Sequence, residues 1–93
     1  MSKEKTKFNP SKDILETGLY DLVVHNDDVN TFDFVIETLI DVCKHAPEQA
    51  EQCTLIIHHK GKCTVKTGGY NKMRSMYKEI LNRKITATIE ARE

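Results

Sequence analysis

From Leu19 to His25 apolar and polar side chains alternate, with Tyr20, Leu22 and Val24 on one side, the pattern of a strand with one buried face. Asn26-Asp27-Asp28 ends that strand, because all three residues favour turns and caps over a ladder. The spacing then becomes helical: Phe32, Val35, Ile36, Leu39, Ile40 and Cys43 share one stripe, with Asn30 or Thr31 as cap and Asp33 in the first turn. Lys44 and His45 close this helix, and Pro47 opens a second whose inner stripe is Ala50, Cys53, Thr54 and Ile57 and whose stop is Gly61. Cys63 to Thr67 reads as a short strand broken by Gly68-Gly69. Met73, Met76, Tyr77, Ile80 and Leu81 predict a third helix over Asn71 to Arg83, and the β-branched run Ile85 to Ile89 predicts the last strand. The order β-α-α-β-α-β implies an α+β fold, a three-stranded antiparallel sheet with three helices on one face. Residues 1–18 contain Pro10 and Gly18 and little periodicity, which predicts a flexible tail and leaves 19–93 as the folded domain.

Composition narrows the class. With 93 residues, 39% apolar and 30% charged, the chain has material for one small core and the balance of a soluble domain. The apolar run Cys53 to Ile57 is far shorter than the ~20 residues a membrane helix needs, and Met-Ser-Lys-Glu-Lys offers no signal peptide, so no membrane partner is expected. The formal charge is zero, yet residues 1–12 carry +3, residues 13–58 carry −9 and residues 59–93 carry +6. An acidic middle suits a cationic ligand group and argues against nucleic acid. Three cysteines without a CxxC pair point to a reducing compartment, by default the cytoplasm.

Asn26, Asp27 and Asp28 put three oxygen acceptors between a strand end and a helix start. They serve as a capping turn, or as a site for an ammonium group, to which a carboxylate offers acceptors only. Calcium does not fit, since the run lacks the glycine and the distant glutamate of a calcium loop. His58 and His59 end the second helix about 100° apart, so one faces a pocket or the interior and the other solvent. No Cys or His pair has zinc spacing, and Cys43 and Cys53 lie on inner stripes where cysteine acts as a small hydrophobe, so no metal is expected. A thiol hydrolase built on Cys63 with His58 or His59 requires a low-pKa exposed thiolate, which a strand position does not provide. No phosphate loop, His-Glu-x-x-His or Gly-x-Ser-x-Gly occurs, so neither catalysis nor a cofactor is expected.

At this point specific runs become telling. Tyr20-Asp21-Leu22-Val23-Val24-His25-Asn26-Asp27-Asp28 and Phe34-Val35-Ile36-Glu37-Thr38-Leu39 resemble the start of the ClpS adaptor family. Ala50 to His58 with Lys60-Gly61-Lys62 resembles its second helix and closing histidine, and Ala87-Thr88-Ile89-Glu90 its last strand. The resemblance spans Leu19 to Glu90 and implies a fold related to the C-terminal domain of the ribosomal stalk protein.

It also implies a non-catalytic adaptor. Such a protein binds the free N-terminal residue (Leu, Phe, Tyr or Trp) of N-degron substrate proteins and passes them to a Clp-type AAA+ unfoldase, ClpA-like or ClpC-like. By the same resemblance Asn26, Asp27, Asp28 and His58 surround the α-ammonium group, while Asn30, Phe32, Val35, Thr54, Ile57 and Ile85 line the side-chain pocket. Phe32 stands where the family commonly has methionine, and Asn30 and Thr54 replace threonine and methionine. The segment Cys63 to Tyr70 and the helix after it depart from the family pattern where the unfoldase docks. A monomer is expected. The alternative is an interaction module of the same fold that does not read chain termini.

Overall fold

Elements form where periodicity places them, with small shifts at their ends. The computed structural model describes residues 18–92, so the expected tail, Gly18 apart, lies outside the described residues. The chain runs β1 (Tyr20–His25), α1 (Phe32–Cys43), α2 (Pro47–Lys60), β2 (Lys62–Gly68), α3 (Tyr70–Asn82) and β3 (Ala87–Ala91). The sheet order is β2-β1-β3, antiparallel throughout. The most apolar strand thus takes the centre, where both of its edges are paired.

Tyr20, Leu22 and Val24 face the helices and share one core with Leu39, Cys43, Ala50, Ile57, Met73 and Ile80. The opposite face of the sheet is largely polar. There Thr67 donates to Asp21, Arg92 pairs with the same carboxylate, and His25 is hydrogen-bonded to Thr88. Thr31 caps α1 by accepting from the Phe34 N–H at 3.1 Å. Asn30 does not cap the helix and has another task, described below.

Two places depart from the simple pattern. The last strand begins at Ala87, two residues later than the alternation from Ile85 suggests. The cause is the exit of α3. Lys84 turns into the left-handed region with φ of 68°. Its N–H returns to the Leu81 carbonyl, and that of Ile85 to the Ile80 carbonyl. This pair of bonds closes a helix end and holds Ile85 beneath α3, 2% exposed, before the strand starts.

The second departure is a bulge. Leu22 is opposite Lys66 but Val23 is opposite Thr64, so Val65 has no partner across the ladder. Its carbonyl accepts instead from His45 Nε2 at 2.7 Å. His45 comes from the α1–α2 connection and is only 4% exposed. Because a carbonyl accepts only, the bond makes Nε2 the protonated nitrogen. Nδ1 is buried and has no partner among the described residues.

Candidate functional site

The end of β1, the start of α1 and the last turns of α2 converge on one cleft. Gly61 closes α2 with φ of 95°, a conformation that suits glycine, and its N–H returns to the Ile57 carbonyl. The Gly61 carbonyl then accepts from the Asn26 N–H at 2.8 Å, which fastens the turn after β1 to the end of α2. That bond, with the pairing of His25 opposite Lys62, brings His58 and Asn26 to one cleft across 32 positions of sequence.

The cleft encloses about 270 Å³ and is lined by Asn26, Asp27, Asp28, Asn30, Thr31, Phe32, Val35, Thr54, Ile57 and His58. Pockets for drug-sized ligands run from about 300 Å³ upward, so this one has room for a single large side chain and the atoms beside it. Its inner wall is apolar: Ile57 and Thr54 are each 3% exposed, with Val35 half-buried beside them. The Thr54 hydroxyl donates to the Ala50 carbonyl at 2.7 Å, which satisfies its proton inside the helix. Phe32 stands at the mouth and meets the His58 ring edge to face at 6.4 Å.

The acidic turn divides its work among its members. Asp27 Oδ1 accepts the N–H groups of Val29 and Asn30, both at 3.0 Å, and the Asn30 amide bonds both carboxylate oxygens. Burial pushes the Asp27 pKa up, but these donors and the Thr86 backbone outweigh it and hold the carboxyl below its usual range. The Asn30 amide also donates to the Lys84 carbonyl at 2.9 Å, clamping the turn to the end of α3. Asp27 and Asn30 therefore build the loop. By contrast, the exposed residues Asn26, Asp28 and His58 line the cleft and their side chains make no hydrogen bond among the described residues.

Of the ten residues named from the sequence, nine line this cleft. Ile85 does not: it packs in the core beneath α3, for the reason given above. Thr31 lines the cleft and was not named, although its place as helix cap between Asn30 and Phe32 was the available signal. His59 meets the His58 ring edge to face at 5.3 Å but is absent from the lining.

The family model described as "ATP-dependent Clp protease adaptor protein ClpS" matches residues 16–89. The chain belongs to the ClpS family. An ATP-dependent Clp protease adapter protein ClpS of Campylobacter jejuni (strain 81-176) is 40% identical over 57 residues, 61% of this chain and 59% of that protein. The ClpS of Shewanella denitrificans is 40% identical over 62 residues, 66% of this chain and 60% of that protein. The chain thus spans about three fifths of the length of these curated relatives. The fold matches the structure of Agrobacterium tumefaciens ClpS2 bound to L-phenylalaninamide with a TM-score of 0.75 at 21% identity, over 81% of this chain and 98% of that one.

Membership of an adaptor family agrees with the expectation of a non-catalytic protein, and the thiols behave accordingly. Cys53 lies near both Cys43 and Cys63, and the Cys63 thiol donates to the Thr64 carbonyl at 3.4 Å. Burial pushes the Cys43 thiol up to about 11, against the pull of the Lys66 cation, and burial with Cys53 nearby pushes Cys63 up as well. Thiols held in this way are poor nucleophiles at neutral pH. Alkylation of Cys43 and Cys63 by iodoacetamide at pH 7.5, followed by peptide mass spectrometry, should therefore be at least about tenfold slower in the folded protein than in urea. A folded-state rate matching or exceeding the unfolded one would contradict this account.

No helix among the described residues is long and apolar enough to cross a membrane.

Proposed function

We propose that this ClpS-family chain binds the free amino terminus of proteins that begin with a large apolar residue and passes them to a Clp-type AAA+ unfoldase. The observation that carries the reading is the pairing, in one cleft of single-residue size, of an apolar wall with three exposed polar side chains that make no hydrogen bond among the described residues. A free α-amino group has a pKa of about 7.7–8.0 and is mostly a three-donor cation at neutral pH. Asn26, Asp28 and His58 supply acceptors for those donors, with Asp27 behind them as a fixed negative charge. The first side chain, Leu, Phe, Tyr or Trp, enters between Phe32 and Val35 on α1 and Thr54 and Ile57 on α2.

The relative from Agrobacterium tumefaciens supports the same reading, because L-phenylalaninamide is an amino-terminal phenylalanine without its chain. Burying a Phe or Leu side chain contributes about 1.5–3 kcal/mol, and each hydrogen bond to a charged group about 1.5–3 kcal/mol. After association costs these terms give affinities of about micromolar or tighter. The adaptor acts as a cytoplasmic monomer, needs neither cofactor nor nucleic acid, and cleaves nothing itself.

Fluorescence anisotropy with three otherwise identical peptides tests the reading. The peptide beginning with Phe should bind, while the one beginning with Ala and the one acetylated on its Phe should bind at least about 50-fold more weakly. Equal binding of the acetylated peptide would remove the ammonium site and favour an interaction module that ignores the terminus.

A further inference from the structure

On the other side of the loop that carries Asn30 lies a second depression of about 460 Å³, lined by Val29, Asn30, Thr31, Phe34, Arg83 and Lys84. Asn30 and Thr31 line both depressions, so this stretch of loop forms the wall between them. Their chemistry differs. The cleft has Asp27 and Asp28 in its lining, whereas the depression combines the apolar Val29 and Phe34 with two cations.

Val29 is 82% exposed, more than any other large apolar residue described. A single exposed valine needs no explanation by itself. This one, however, is held in place: its N–H is bonded to Asp27, and its neighbour Asn30 is clamped to the Lys84 carbonyl at the end of α3. The loop thus presents Val29 beside Phe34 at a fixed position. Arg83 is already paired with Asp41 at 3.3 Å, while Lys84 forms no ion pair among the described residues.

We infer that this depression receives the second and third residues of the polypeptide whose terminus occupies the cleft, with an apolar second residue and an acidic third residue preferred. The inference rests on the terminus-binding reading above. An extended chain advances about 3.3–3.6 Å per residue, so two residues beyond the first cross the Asn30-Thr31 loop. An apolar second side chain covers Val29 and Phe34 and displaces water from both. A carboxylate on the second residue would remain close to Asp27 and Asp28, whereas on the third it moves away from them and toward Lys84. The field reverses along the path, from negative at the terminus to positive two residues later.

The test uses the full chain and three peptides that differ only at the start: Phe-Leu-Glu, Phe-Ser-Ser, and Phe-Leu-Glu acetylated on its amino group. Phe-Leu-Glu should bind about five- to tenfold more tightly than Phe-Ser-Ser. In Val29→Ser that ratio should fall toward about twofold, and in Lys84→Asn, which keeps a residue tolerant of the left-handed turn, it should fall by about half. Equal affinities for the two free peptides, with the acetylated one rejected, would overturn this inference and leave the terminus reading standing. Equal binding of the acetylated peptide would overturn both. A preference that persists unchanged in Val29→Ser would also overturn it, since the selectivity would then arise elsewhere.

Discussion

Replacing Asn26 and His58 together by alanine is expected to weaken binding of a Phe-initiated peptide by about 100-fold or more. An ammonium group entering the cleft gives up its water, and each of its three donors then needs an acceptor. The double substitution removes two of them and leaves Asp28 alone at the rim. Each lost charge-assisted bond costs about 1.5–3 kcal/mol, and a factor of 100 is the lower end of two such losses. Both side chains are exposed and make no hydrogen bond among the described residues, so the melting temperature should move by no more than about 3 °C.

Asp27→Ala provides the contrast. Its carboxylate holds the Val29 and Asn30 N–H groups and the Asn30 amide, so its loss should weaken binding and stability together, the latter by about 2 kcal/mol. Calorimetric titration alongside thermal melts separates the two behaviours. A double variant that binds as tightly as the unaltered chain would overturn the assignment of the rim.

The second large effect concerns His45, far from the cleft. His45→Ala is expected to cost about 3 kcal/mol of stability, seen as a fall of roughly 15 °C in melting temperature. Two losses add here. A buried ring is replaced by a void, and the Val65 carbonyl at the bulge of β2 loses the donor that satisfies it at 2.7 Å. His45→Phe refills the void without restoring the donor and should recover part of the loss, to about 1–2 kcal/mol below the unaltered chain. If His45→Ala melts within a few degrees of the unaltered chain, the imidazole does not support the bulge. Against a total stability of about 5–10 kcal/mol for a chain of this size, the difference is easily measured by urea unfolding.

His45 also shows what the sequence does not display. A histidine between Lys44 and Ala46 reads as a cation at a helix end, and nothing local distinguishes it from His58 or His59. Its role depends on a bulge in a strand 20 residues away, which no spacing rule encodes. Ile85 is a similar case. Its alternation with Ala87 and Ile89 is real, but the left-handed turn at Lys84 spends Ile85 on closing α3 before β3 begins. The same turn keeps Ile85 out of the cleft and in the core.

What the sequence determined by itself is the order and type of the six elements. Each is set by local periodicity and by nearby punctuation, such as Asn26-Asp27-Asp28 after β1, Pro47 before α2 and Gly61 after it. Its runs also carried the family resemblance, and that resemblance named nine residues that line the cleft. Only the tertiary structure decided how the acidic turn is shared out. Asp27 and Asn30 became builders because the chain brings the Lys84 carbonyl and the Thr86 backbone alongside them, over 50 residues later. The separation of the two depressions by that clamped loop has the same origin. Side-chain chemistry is local and can be read from the chain, whereas which partners consume a given donor or acceptor is a property of contacts between distant segments.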